Sequence, residues 1–362
     1  MNELREATLR HLGALVSFDT QNPPRNIGAG GIFDYLREML PGFESRLVDH
    51  GAGAVSLLAI RGSPRRLFNV HLDTVPSSPH WTSDPLVLRL DDGRAIGLGV
   101  CDIKGAAAAL LAAAQTTRGD AALLFTTDEE ANDPRCVSAF LATSHGFEEA
   151  IVAEPTGGLA ITTHRGICSA RLKFRGRAGH ASGSDAMSHN ALHHAMRWGA
   201  RALELVDQMS DLEFGELRGL RFNIGKVEGG VKANVIAPEA EVRFGFRPLP
   251  SQSIDELHTR LRALVPSEAL EIYEETFRGS PLPAKSEDSA SRREDAEALA
   301  NALGLPLGRA VDFWTEGALF SAAGLTTLVF GPGDIQRAHS ADEWVSLDQL
   351  DAAASLYRRL LS

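Results

Sequence analysis

Cysteine is scarce in this chain. Cys101, Cys136 and Cys168 are the three present among 362 residues. An odd number of widely spaced thiols with no CxxC pair builds no disulfide framework and fits a reducing cytoplasm. Positive charge is also in short supply. Lys and Arg number 36 against 47 Asp and Glu, for a net charge of −11. That balance argues against nucleic acid, which needs a basic footprint. No apolar run approaches the length of a membrane span, so no membrane partner is expected. The start, Met1-Asn2-Glu3-Leu4-Arg5-Glu6, is charged and lacks the apolar core of a signal peptide. What is present is ordinary for a soluble globular protein, with 44% hydrophobic and 23% charged residues. The length suits one large or two moderate domains.

Apolar periodicity divides the chain. Leu4, Leu9, Leu12, Leu15 and Val16 recur at helical spacing and predict an amphipathic helix over 2–17. Thr20-Gln21-Asn22-Pro23-Pro24 is a turn-rich loop. Ile32, Tyr35, Leu36 and Leu40 mark a second helix, stopped by Pro41-Gly42. Buried strands are expected at 55–60, 67–71, 121–125 and 150–153, and the alanine run 106–114 is a strong helix former. Strands alternating with helices argue for a largely parallel α/β sheet. From Ile167 the pattern changes. An alternating strand runs to Phe174, followed by a helix around 187–207 and strands near 219–228 and 240–247. A helix near 253–263 and a short strand at 270–273 complete a βαββαβ order, a ferredoxin-like unit. Beyond Pro281-Leu282-Pro283, a charged helix at 292–303, a strand at 327–330 and a helix over 347–361 resume the α/β alternation. The expected organisation is one α/β domain in two segments, 1–164 and 276–362, with a small domain inserted at 165–275.

The chemistry gathers at strand ends. His71 and Asp73 lie two residues apart after an apolar run, so in an extended chain both face one side. Glu129/Glu130, Glu154 and His339 likewise follow buried strands, and Asp102 sits in a Gly-rich loop before a helix. Open α/β sheets form their sites at the carboxyl ends of strands. Singly, each residue is ordinary: a Glu pair is usually a loop tip, an Asp a cap, a His a surface residue. Their joint placement points to a metal centre, because mixed His and carboxylate ligands suit zinc and similar divalent ions. Five ligands are too many for one catalytic zinc with an open position, and suit two ions sharing a bridging carboxylate. A phosphate loop at 97–105 is disfavoured, since GxGxxG lacks its third glycine and no GxxxxGK[ST] is present. Adjacent Glu129 and Glu130 point different ways, so one can bind metal while the other transfers a proton. Asp73 can hydrogen-bond a metal-ligating His71 or orient the bridging group.

At these residues the chain resembles the di-metal amidohydrolases that include acetylornithine deacetylase, succinyl-diaminopimelate desuccinylase, aminoacylase and carboxypeptidase G. The motifs are His-Leu-Asp at 71–73, Gly-x-Gly-x-x-Asp-x-Lys-Gly at 97–105 and Asp-Glu-Glu at 128–130. Glu-Pro-Thr at 154–156, Gly-His-Ala-Ser at 179–182 and Ala-His-Ser-Ala-Asp-Glu at 338–343 complete the set, which covers nearly the whole chain. The resemblance implies a di-zinc exopeptidase-like catalytic domain carrying an inserted ferredoxin-like dimerisation or lid domain. It implies two divalent ions, zinc or cobalt, one bound by His71 and Glu154 and the other by Glu130 and His339, with Asp102 bridging. Glu129 would be the general base and Asp73 a support. His180 would stabilise the oxyanion, in such enzymes usually from the partner subunit of a homodimer, so that it acts either there or within its own subunit. Arg247 would grip the substrate carboxylate with its guanidinium fork, and Asn234 lies at a substrate-contacting position. The implied reaction is deacetylation of an N-acetyl-L-amino acid in arginine biosynthesis, acetylcitrulline ahead of acetylornithine. The competing readings are a di-metal exopeptidase on dipeptides and a catalytically silent metal-binding scaffold. Gly245, where relatives usually carry an acid, Ala131, where they often carry a glycine, and Phe313-Trp314 depart from the pattern. They bear on specificity and touch no implied ligand. Trp314 either reshapes the side-chain pocket or is a packed core aromatic.

Overall fold

The computed structural model describes residues 3–131 and 133–362. The chain divides into two compact units. The larger comprises residues 1–162, 292–308 and 315–362, the smaller residues 163–291 and 309–314.

The larger unit is built on a six-stranded sheet. Its order is Glu44–Asp49, Val55–Arg61, Ala121–Thr126, Arg66–His71, Glu149–Val152 and Thr326–Val329. The last four strands are mutually parallel; Val55–Arg61 runs against both its neighbours. Alternation of side chains decides what covers each face. Phe68, Val70, Leu123, Phe125 and Ile151 join a core with the helices Glu3–Ser17, Lys104–Thr116 and Leu347–Leu360. Leu67, Ala122, Leu124, Ala150 and Val152 turn the other way, onto Val137 and Phe140 of Arg135–Leu141 and Phe320 of Gly317–Ala322. Lys104–Thr116 is buried at every residue from Lys104 to Ala114. Its alanines leave no long side chains, so it packs closely against Glu3–Ser17 and Leu347–Leu360 at once. Three short strands, Trp344–Ser346, Arg94–Ile96 and Arg89–Asp91, form a separate antiparallel sheet.

The smaller unit has a four-stranded antiparallel sheet in the order Arg221–Gly229, Glu239–Arg247, Ile167–Arg175, Leu270–Gly279. Helices Ala191–Asp207 and Ile254–Ala263 cover one face. Their Trp198, Leu257 and Leu261 pack on Leu172, Phe174, Phe244 and Phe246. The βαββαβ order is present, with the first strand central beside the fourth.

Several elements depart from their sequence-based bounds. The helix expected from 187 begins at Ala191, because the Asn190 side chain accepts the Leu192 and His193 N–H groups and caps it there. The strand expected at 270–273 runs to Gly279, with two register shifts that let it follow Ile167–Arg175 along its length. The boundary at 275 thus falls inside a strand. Glu44–Asp49 went unseen because it is a sheet edge with an exposed, charged pattern. Among the described residues, no helix is long and apolar enough to cross a membrane.

Candidate metal centre

Strand Arg66–His71 ends with His71 buried, and Asp73, two residues further on, is buried as well. His71 Nδ1 donates to the Asp73 carbonyl at 3.0 Å, and lies 3.5 Å from Asp73 Oδ1. A proton fixed on Nδ1 leaves the Nε2 lone pair for a ligand in the neutral ring. Nε2 faces Asp102 Oδ1 at 3.0 Å. The Asp73 carboxylate has further work. Its Oδ2 accepts from Asn22 Nδ2 at 2.9 Å and from the Glu130 backbone N–H at 3.0 Å. It thereby ties the His71 strand to the loop that follows Ala121–Thr126.

Asp102 reaches the centre from the loop before helix Lys104–Thr116. That loop can turn there because Gly99 adopts φ +79°, where a side chain would also strike Thr74. A Cβ on Gly105 would lie 2.3 Å from the Val100 carbonyl, so only glycine lets the helix start this close to the loop. The other Asp102 oxygen, Oδ2, lies 3.5 Å from His339 Nε2. His339 Nε2 is also 2.9 Å from Glu130 Oε1. His339 sits at φ +57°, a left-handed backbone uncommon outside glycine. Glu154, buried, follows Glu149–Val152.

These side chains form two donor sets. His71, Asp102 and Glu154 make one; Asp102, Glu130 and His339 make the other. Within each, one ligand atom per residue lies within 4.8 Å of the others. Asp102 belongs to both. The convergence follows from topology. Ala121–Thr126, Arg66–His71 and Glu149–Val152 are adjacent and parallel, so their carboxyl ends deliver Glu129/Glu130, His71/Asp73 and Glu154 side by side.

Packing this many acids together has electrostatic consequences. Burial, aided by the charges of Glu130, Asp102 and Asp73 and opposed by His71, pushes the Glu129 carboxyl up to about 8. Burial also raises Glu130, and raises Glu154 well above the usual carboxylate range. Burial works in the same direction on Asp102, but hydrogen bonds to His339 and His71 outweigh it and hold that carboxyl low. Hydrogen bonds to Asp102 and Glu130 carry His339 up to about 10. Burial opposes protonation of His71, yet Asp102 and Asp73 together raise it well above its ordinary value. Such mutual perturbation is the electrostatic pattern of a candidate functional site. The donor chemistry, carboxylate oxygen and imidazole nitrogen, suits zinc and similar divalent ions. Positive charge at the two sets would relieve the repulsion among the acids.

His180, Asn234 and Arg247 belong to the smaller unit. His180 and Asn234 lie together. The Ala181 N–H donates to the Asn234 carbonyl at 3.1 Å, and His180 bridges to Val235. Ser182 N–H donates to His180 Nδ1 at 3.2 Å, so Nε2 carries the proton of the neutral ring and the exposed His180 can donate it. Arg247 closes strand Glu239–Arg247 at the opposite end of the sheet. It pairs in register with Arg221, while Glu239 pairs with Arg175. Burial lowers its pKa, with Asp312 opposing. Trp314 donates through Nε1 to the Ser280 carbonyl at 3.0 Å and packs its ring on Phe277 and Gly279. Trp314 is half-buried and belongs to none of the apolar clusters that cover the six-stranded and four-stranded sheets.

Sequence reasoning passed over three residues. Asn22 read as part of a loop, and nothing but its burial beside Asp73 distinguishes it. Glu316 is buried with Thr126 Oγ1 3.3 Å away, and Asp128 and Glu129 raise its pKa beyond the effect of burial. Glu343 ends the 338–343 motif and is buried against the loop of Asp102. Its place in that motif was the available signal.

The profile of peptidase family M20/M25/M40 matches residues 67–362. An N-acetyl-L-citrulline deacetylase of Xanthomonas campestris pv. campestris is 58% identical over 367 aligned residues, covering 100% of this chain and 99% of that protein. An acetylornithine deacetylase of Myxococcus xanthus is 29% identical, with 100% and 98% covered. Among solved structures, the aminopeptidase PepT of Bacillus cereus superposes with a TM-score of 0.75 at 16% identity, covering 99% of this chain and 98% of that one. The Bacillus subtilis YxeP protein, a dinuclear metal-binding M20 peptidase, superposes with a TM-score of 0.69 at 13% identity, with 99% and 97% covered.

Proposed function

The chain belongs to peptidase family M20/M25/M40, and from that premise we propose that it removes the acetyl group of N-acetyl-L-citrulline in arginine biosynthesis. The observation that carries the substrate is the 58% identity over essentially the full length of both chains with an enzyme of that name. The acetylornithine deacetylase of Myxococcus xanthus, of equal coverage, stands at 29%. The reaction consumes water and releases acetate and the free amino acid.

The two donor sets divide the labour. His71 and Glu154 would hold one divalent ion and Glu130 and His339 the other, with Asp102 available to both. Zinc and cobalt both suit these ligands. When bound, such an ion pair supplies Lewis acidity toward the acetyl carbonyl and acidifies water. Glu129, which enters neither donor set, takes the proton of the attacking water on its carboxylate and passes it to the leaving amine nitrogen. Asp73 holds His71 and the Glu130 backbone in place. The His180 Nε2–H donates to the oxygen that gains charge as water adds. Arg247 takes the α-carboxylate in its planar fork, and Asn234, beside His180, adds a polar contact to substrate.

The sheet geometry supports a homodimer. Eight residue steps separate the Glu239 end of the strand from Arg247, about 27 Å at ~3.4 Å per residue. His180 and Asn234 lie beyond the Glu239 end. A substrate of amino-acid size cannot reach both ends of one copy. That separation supports a reading in which His180 and Asn234 serve the site of one subunit and Arg247 that of another. The strand Arg221–Gly229 lies at the edge of its sheet, and Val227 on it and Val231 just after it are exposed. An open edge with apolar side chains is a surface prepared for pairing. The three free thiols are buried, in keeping with a cytoplasmic protein.

The test is side-by-side kinetics on acetylcitrulline and acetylornithine with the zinc and cobalt forms. We expect kcat/KM to favour acetylcitrulline by more than about tenfold, about 1.4 kcal/mol of barrier. Equal or reversed preference would reject the assignment of substrate.

A further inference from the structure

The loop of Asp102 is held by an acid outside both donor sets. The Glu343 carboxylate accepts three backbone N–H groups: Gly99 at 3.0 Å on Oε2, and Cys101 at 2.8 Å and Asp102 at 2.9 Å on Oε1. Glu343 is 2% exposed. A carboxylate buried this deeply is tolerated when several N–H groups converge on it. Its own backbone is fixed too. The Gly97 N–H donates to the Glu343 carbonyl at 3.1 Å, and the next residue opens strand Trp344–Ser346, paired with Arg94–Ile96. The register of this small sheet aims the carboxylate at the loop. Four residues earlier in the chain stands His339, and both His339 and Asp342 occupy the left-handed region. A segment with two such residues persists when its surroundings over-determine it. One short stretch thus presents a donor imidazole and grips the backbone of the acid common to both sets.

We propose that Glu343 is a positioning residue for Asp102: it fixes the Asp102 backbone so that the two carboxylate oxygens face His71 and His339 together. The inference rests on the two-ion reading. Its signature differs from that of a ligand. Loss of His339 weakens one ion, whereas a displaced Asp102 weakens both. A role confined to stability lowers the melting temperature and leaves ion affinities alone.

The experiment titrates zinc against a competing chelator into metal-stripped wild-type protein and the His339→Ala, Glu343→Gln and Glu343→Ala variants, with circular dichroism to follow folding. Wild type takes up two ions. His339→Ala weakens one. Glu343→Ala weakens both by about 100-fold, the upper range for a residue supporting a ligand. Glu343→Gln keeps an acceptor toward Cys101 and Asp102, turns an N–H against that of Gly99, and weakens both by about tenfold. If the alanine variant does not fold, the glutamine variant decides. Wild-type affinities in a folded Glu343 variant overturn the proposal, and so does weakening of one ion alone. A wild-type protein that takes up no second ion overturns the two-ion reading instead.

Discussion

Replacing Glu129 by glutamine keeps the shape of the side chain and removes its ability to accept a proton. Glu129 lies in neither donor set, so the variant keeps its metal content, measured by elemental analysis of the purified protein. The loss falls on turnover. General-base catalysis contributes roughly 10²–10⁴-fold, so kcat drops by that factor, about 3–5 kcal/mol of barrier at 1.36 kcal/mol per tenfold. KM changes little, because substrate is gripped elsewhere. The pH dependence follows. Without bound cations, burial and the neighbouring acids hold Glu129 at about 8. Nearby positive charge favours the carboxylate and brings that value down. The base must be unprotonated, so kcat/KM for acetylcitrulline rises with pH along an acid limb below about 8. The limb disappears in Glu129→Gln. A variant with full metal and kcat within about threefold of wild type would refute the assignment, as would loss of metal.

The proposed cross-subunit role of His180 predicts complementation. Dimers mixed at random from Glu129→Gln and His180→Ala chains are half hybrids, each with one intact site, so activity returns to about a quarter of wild type; proven hybrids without activity would exclude the arrangement. His339→Ala lowers zinc stoichiometry from two toward one, while a stoichiometry of two with unchanged affinities would remove His339 from the ligands. His164 is buried and donates through Nδ1 to the Arg165 carbonyl, and burial lowers its pKa from 6.5 to about 4. Between those values the unfolded chain binds a proton that the folded chain does not, so stability is full above 6.5 and falls as pH drops toward 4. The maximum loss is about 3 kcal/mol, and His164→Gln should flatten the difference in urea midpoint between pH 7.5 and 4.5; an unchanged slope would show that another group governs it.

The sheet strands were legible because continuous apolar runs such as Leu67–Val70 and Ala121–Phe125 bury side chains on both faces. Glu44–Asp49 was not, since an edge strand facing water carries no such pattern. The positions of His71, Asp102, Glu130, Glu154 and His339 could be read as a cluster because strand ends in a parallel sheet meet by topology. What pairs with what was beyond the sequence. The Asn22 side chain crosses 51 residues of chain to reach Asp73, and Glu343 crosses 241 to reach the Asp102 N–H. Contacts of that range have no local spacing to betray them. The His180 tautomer was equally hidden, because it depends on a Ser182 N–H whose direction only the folded loop defines.

The adjacent acids Glu129 and Glu130, to which we assign different roles, have different surroundings. Glu130 is constrained twice. Its backbone N–H is held by Asp73 and its Oε1 by His339 Nε2, the same nitrogen that faces Asp102. A carboxylate so fixed is prepared to share a cation with those partners, and moving a proton on and off it would disturb all three. Glu129 enters neither donor set, yet its pKa responds to Glu130, Asp102, Asp73 and His71 at once. It therefore feels the charge at the centre without being committed to it. That is the requirement for a proton carrier: its affinity for the proton must respond as charge develops on the reacting atoms, while its carboxylate remains available to move the proton. Asp73, Asp102, Glu129, Glu130 and Glu154 converge beside two imidazoles, so ionisation of all five acids would leave negative charge in excess. With both rings neutral, two dications at the donor sets would offset most of those five charges, and in the proposed reaction Glu129 is the acid whose protonation state changes.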